Sequence, residues 1–126
     1  MTELRQLIVD IASSTKGVLG LVISDKDGVP VLKTEIVSGN QIVDGCFRHQ
    51  FLSVYGSMSE HAAKMCLGST LSIMSTFDDY QVVHCNHSPL VLTVVATREA
   101  MTGQIMSMSQ TLKPLICDMA KTVMAC

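Results

Sequence analysis

Tryptophan is absent from the chain, tyrosine occurs twice and phenylalanine three times, and only 16% of the 126 residues are charged. Without large aromatic anchors, the core must be built from aliphatic and methionine side chains. Charge is scarce, since soluble domains usually carry about 25%, and it does not cluster. Nine basic and eleven acidic residues give a net charge of −2, which excludes the concentrated lysine and arginine that nucleic-acid phosphates require. Cysteine motifs are missing too: Cys46, Cys66, Cys85, Cys117 and Cys126 are odd in number and form no Cys-x-x-Cys. With no signal peptide in the opening MTELRQL, they point to a reducing, cytosolic compartment. No apolar run approaches the ~18 residues that span a bilayer; the longest candidate, PLVLTVVAT, suits a buried strand. Thr2 stands where N-myristoylation needs glycine, and the terminal MAC is no prenylation box. The chain is not expected to anchor itself.

Catalytic signatures are equally lacking. There is no Walker loop, nucleophile elbow, HExxH or dinucleotide fingerprint. The carboxylates stand singly apart from turn positions, so paired acid–base chemistry has no seat. The expectation is a protein that is not an enzyme and needs no cofactor.

What the chain has in excess is apolar side chains: 48% hydrophobic residues, with nine methionines. Either the core is large or some apolar surface is reserved for a partner, and the adaptable thioether suits both uses. At this length one domain is expected, spanning 1–126 and able to bury a core without disulfides.

Leu4, Leu7, Ile8 and Ile11 recur at helical spacing. Two strands follow at 18–25 and 29–35, and EIVSGNQIVDG then reads as a loop turning at Gly39-Asn40. The stretch FRHQFLSVYGSMSEHAAKMCLG predicts a second helix. Phe47, Phe51, Val54, Tyr55, Met58, Ala62 and Met65 form its apolar stripe, and Gly68 its stop. Beside that stripe lie Leu52, Gly56, Ser59 and Ala63, mostly small residues that would let another helix approach closely. Three further strands are expected at 70–77, 80–86 and 89–97, then a helix at 103–123 that Pro114 should kink. The order α-β-β-α-β-β-β-α defines an α+β domain with a five-stranded antiparallel sheet.

Two stretches could hold a metal. Residues 25–33 read DKDGVPVLK, but an EF-hand frame with Gly28 at its sixth position puts Ile23 at the first and Thr34 at the twelfth, and neither can ligate calcium. A hairpin turn accounts for every residue instead: Asp25 accepts hydrogen bonds from the backbone ahead, Asp27 tolerates the turn, and Gly28 supplies a positive φ. Pro30 cannot donate to a ladder and places the second strand on a sheet edge. His84-Cys85-Asn86-His87 offers His and Cys donors, yet it reads as a tight turn, and zinc would need further ligands that no recognisable spacing supplies. No metal site is assigned.

GLVISDKDGVPVLK, FLSVYGSMSEHAAKMCLG, YQVVHCNHSPLVLTVVAT and TGQIMSMSQTLKPL together resemble the roadblock family, and within it the MAP-kinase scaffold subunits of Ragulator complexes. The resemblance runs from about residue 17 to about residue 117. It implies the sheet order 2-1-5-4-3, with the second helix on one face and the terminal helices on the other. It further implies a heterodimer with another roadblock-domain subunit. Strand 3, carrying Leu71, Ser72, Ile73, Met74 and Ser75, would join its counterpart there in a ten-stranded sheet. The second helices would lie side by side along Leu52, Gly56, Ser59 and Ala63. Other Ragulator subunits, Rag GTPases and the MEK and ERK kinases are the remaining implied partners. The implied setting is TOR and MAP-kinase signalling on late endosomes and lysosomes, with the membrane held through a separate lipidated subunit. The alternative is a homodimeric roadblock protein regulating a small GTPase or dynein cargo, and an enzyme using the HCNH stretch ranks behind both.

Overall fold

The structure is a computed structural model that describes residues 2–37, 45 and 48–124. The expected loop at Gly39-Asn40, Phe47 of the expected stripe, and Cys46 and Cys126 lie outside the described residues. Helix α1 spans Thr2–Ser13, and strands β1 and β2 span Val18–Asp25 and Pro30–Glu35. A short helix α2, His49–Leu52, precedes α3, Val54–Ala63. Strands β3, β4 and β5 occupy Ser72–Thr76, Tyr80–His87 and Leu90–Thr97, and α4 runs over Thr102–Met124.

The five strands form one antiparallel sheet in the order β2-β1-β5-β4-β3. Its centre is the β1–β5 pair. Every residue from Leu90 to Ala96 is buried, as is every residue from Val18 to Ser24, so these strands are covered on both faces. Alternation sorts their side chains. Leu21, Ile23, Val83, Cys85, Leu90, Leu92, Val94 and Ala96 join Ile8 and Ala12 of α1 and Ile105, Met108, Leu112 and Ile116 of α4 in one apolar cluster. Val82, His84, Val91, Thr93 and Val95 point the other way, where Phe51 and Tyr55 lie against the His84 ring at 6.1 and 5.8 Å between centroids. Two layers of helix therefore sandwich the sheet.

Local chemistry fixes the corners. Asp25 Oδ1 accepts from the backbone N–H of Asp27 at 2.9 Å and of Val29 at 3.0 Å, and Gly28 sits at φ +90°, where a Cβ is disfavoured. Pro30 lies on the outer strand, at the bulge where Ser24 pairs it. The Gln81 amide donates to the carbonyls of Thr97 and Ala100 at 3.0 and 2.7 Å, tying β4 to the connection into α4. Thr102 Oγ1 donates to Gln81 Oε1.

Two expectations need correction. The second helix is not continuous: it breaks at Ser53 and ends at Ala63, well short of Gly68. Cys66 takes φ +57°, so the chain leaves the helix before the expected glycine stop, and Met65 and Val54 of the expected stripe are exposed. His84-Cys85-Asn86-His87 is not a turn but the end of β4. Helix α4 runs through Pro114 as one element; the ring removes one backbone donor, and the packing of Leu112 and Ile116 in the core offsets it.

Gly17 precedes β1 at φ +92°, and a Cβ there would lie 2.6 Å from Ala100 Cβ and 2.9 Å from Thr97 Oγ1. Its carbonyl accepts the Thr97 N–H. Gly17→Ala is expected to lower the unfolding free energy by about 2 kcal/mol or more, combining left-handed strain with the clash. The check is a lower urea midpoint at constant m-value; an unchanged midpoint contradicts it.

Candidate interaction surface

Among the described residues, strand β3 is paired on one side only, with β4: Ile73 opposite His84, Met74 opposite Val83 and Ser75 opposite Val82. Its other side is a row of free backbone donors and acceptors. Edges of this kind are normally blunted with charge, proline or a covering loop. Here the run from Ser69 to Phe77, STLSIMSTF, contains no charged residue and no proline.

The pairing also settles which way each side chain points. Because His84 faces α2 and α3, Ile73 and Ser75 share that face, and both are half-buried. Met74 and Ser72 point to the face of the terminal helices, where Met74 is 52% exposed because α4 packs chiefly on β4 and β5. Leu71 and Phe77 flank the strand at 76% and 57% exposure. Leu67 in the approach segment is 85% exposed. Large apolar side chains thus collect along one edge of the sheet, which a free monomer seldom tolerates.

The small-residue line is placed less simply. Leu52 is only 2% exposed; it ends α2 inside this chain and does not join the surface. Gly56 is half-buried, and a Cβ there would come within 3.0 Å of the Lys26 carbonyl oxygen, so its smallness lets α3 approach the β1–β2 turn. Ser59 Oγ donates to the Gly56 carbonyl at 3.1 Å, and Ala63 is exposed at the end of α3. Both border a cavity of about 550 Å³ between α3 and the two hairpin turns, whose walls include Lys26, Tyr55, Thr70 and Asn86. The structure thus gathers Leu71, Ser72, Ile73, Met74 and Ser75 along the edge, with Ala63 and Ser59 near its entrance.

One feature of this region escapes sequence reading. His84 is buried with neither ring nitrogen hydrogen-bonded, and Thr93 Oγ1, opposite it on β5, is likewise unpartnered. Burial pushes the His84 pKa down from 6.5 to about 4, so the ring is neutral near pH 7. His87 points to the opposite face, where its Nε2 lies 2.8 Å from Ser109 Oγ, and burial, then the Lys113 charge, lowers its pKa. Burial also raises the pKa of Cys85. Strand alternation therefore separates His84 from Cys85 and His87, and the chelate that the HCNH spelling raises cannot close. Among the described residues no group of three His, Cys, Asp or Glu side chains is placed to hold a metal ion. No helix among them is long and apolar enough to cross a membrane.

The sheet order and the helices around it define the roadblock/LC7 class. A Myxococcus xanthus MglB structure superposes with a TM-score of 0.73 over 97% of this chain and 98% of its own, at 9% identity. The roadblock/LC7 domain from Streptomyces avermitilis gives 0.62 over 86% and 92%, at 12% identity. Within that class, residues 2–123 match the family described as "Mitogen-activated protein kinase kinase 1 interacting", and the chain belongs to it. Its relatives include the mouse Ragulator complex protein LAMTOR3, 33% identical over 121 residues that cover 96% of this chain and 95% of that one. The Xenopus laevis Ragulator complex protein LAMTOR3-A is 32% identical over 123 residues, covering 98% of each.

The buried histidines make stability depend on pH. A folded-state pKa below the unfolded value means that the unfolded chain binds more protons between the two. The contribution of His84 is therefore complete above about pH 6.5 and is lost as the pH falls towards 4, a loss of about 3 kcal/mol; His87 acts in the same direction. Urea midpoints should fall steadily from pH 7 to pH 4.5, and His84→Leu should flatten most of that slope. Equal slopes in the two proteins would contradict the burial of a neutral His84.

Proposed function

We propose that this chain is a non-enzymatic scaffold subunit of a Ragulator-type complex. As one roadblock-type domain, it pairs through the free edge of β3 with another roadblock-domain subunit. The observation that carries this reading is the edge itself: an uncharged strand with one side unpaired, flanked by exposed Leu71, Met74 and Phe77. Antiparallel pairing with a second edge strand would satisfy those backbone groups and cover the apolar flanks in one step. The near full-length relation to Ragulator complex proteins supports the setting.

From that pair the reading extends outward. The composite surface supports Rag GTPase docking and TOR signalling, and it scaffolds MEK and ERK; the family's description as interacting with mitogen-activated protein kinase kinase 1 supports the MEK part of this reading. Attachment to late endosomes and lysosomes comes through other Ragulator subunits, one of them lipidated.

Ile73 and Met74 separate the two faces of the edge, so lysines at these positions test the pairing from both sides. Ile73→Lys places a charge beside α3, where the partner's second helix would lie, and should weaken heterodimerisation at least a hundredfold, since it would desolvate an unpaired ammonium. Met74→Lys points to the open face and should cost less, roughly tenfold or below, because a lysine can extend its head group to water. Titration calorimetry with the roadblock-fold subunit reads both. Undiminished binding of Ile73→Lys would rule out pairing through β3, and a self-dimer that excludes the other subunit would favour the homodimeric reading.

A further inference from the structure

The segment that leads into β3 is nearly free. Past the end of α3 the chain runs exposed from Lys64 to Ser69, with Met65 and Leu67 turned to solvent and both Cys66 and Gly68 at positive φ. It is caught again at two neighbouring carbonyls. The Thr70 carbonyl accepts the Tyr55 hydroxyl at 3.2 Å and the Asn86 side-chain amide at 3.0 Å. The Leu71 carbonyl accepts the Asn86 backbone N–H at 2.8 Å.

The two donors at Thr70 come from different layers, Tyr55 from α3 and Asn86 from β4. Both are held by their own surroundings. Tyr55 is buried, with its ring against His84. The Asn86 Oδ1 accepts from the backbone N–H and the hydroxyl of Ser88, at 3.0 and 2.6 Å, which fixes the amide with its NH₂ towards Thr70. Tyr55, Thr70 and Asn86 also stand on the wall of the 550 Å³ cavity, so no dense packing would otherwise keep the β3 entrance in place.

We propose that Tyr55 and Asn86 are positioning residues: together they clamp the Thr70 carbonyl and so deliver the edge strand β3 in the extended form that a pairing strand requires. This rests on the reading of β3 as the pairing edge and adds how that edge is held ready. A strand with one ladder and a loose approach frays at its free end. When only part of the population presents the competent strand, apparent affinity falls by that fraction. The clamp raises the fraction without touching the partner.

The test uses the full chain, wild type and with Tyr55→Phe, Asn86→Asp or both, against its candidate roadblock-fold partner in surface plasmon resonance. Tyr55→Phe keeps the ring and removes only the hydroxyl; Asn86→Asp keeps the acceptor for Ser88 and replaces the donor. Each single variant is expected to lower the association rate roughly fivefold, the scale of one net hydrogen bond. The double variant should lower it further, while the dissociation rate stays within twofold. A loss of direct contacts would appear in dissociation instead. Amide exchange in the isolated variants should quicken across residues 71–76 and stay slow in β1 and β5. If both single variants bind as the wild type does, or if the change lies wholly in dissociation, the clamp has no positioning role. If the wild type itself forms no complex, the pairing reading fails and takes the clamp with it, whereas normal wild-type binding with unaffected variants removes the clamp alone. Should the double variant not fold, Tyr55→Phe alone decides the matter by the same rates.

Discussion

A sheet whose central strands are buried on both faces must be covered across its whole width, and this constraint organises the molecule. β1 and β5 are apolar on both faces, so one helical layer on each side is obligatory. α1 and α4 close one face through Ile8, Ile105, Leu112 and Ile116. On the other, the short α2 and α3 bring Phe51 and Tyr55 onto His84. The cover reaches β4 and stops. β3 is left with an unpaired edge, exposed Met74 on one face and half-buried Ile73 on the other. The proposed pairing surface is the place where a three-layer fold runs out of its own material.

The two sheet edges are treated differently, and the contrast is informative. At the β2 edge, Pro30 removes a donor, Lys33 and Glu35 carry charge, and Arg5 reaches across from α1 to the Lys33 carbonyl. Those devices blunt strand-to-strand association. Neither proline nor a charged residue occurs along STLSIMSTF. Side-chain chemistry thus leaves one edge open to strand pairing and blunts the other, and the buried His84 and Thr93 lie beneath the helices that border the open edge.

Much of this architecture is legible in the residues. Continuous apolar runs gave β1 and β5 almost to the residue, and Pro30 marked its edge. The strand order followed from resemblance to the roadblock family, not from periodicity. What stayed hidden has physical causes. The break at Ser53 is invisible because the apolar stripe runs on through it without a glycine or proline. The HCNH stretch imitates a turn because its side chains are polar, although alternation continues through it and sends His84 and His87 to opposite faces. SIMST contains too few strongly apolar or polar residues to show which face Ile73 takes; only its pairing with His84 decides that. Leu52 lies on the small-residue line by angle, yet the break turns it inward. The Thr70 anchor depends on a backbone carbonyl, which sequence cannot mark.

The central claim is that the β3 edge is made for another roadblock-fold chain. Native mass spectrometry of the purified protein, alone and mixed with the candidate subunit, tests it most directly. The account predicts a one-to-one complex that replaces any self-association. A chain that remains monomeric or homodimeric in the mixture would contradict it.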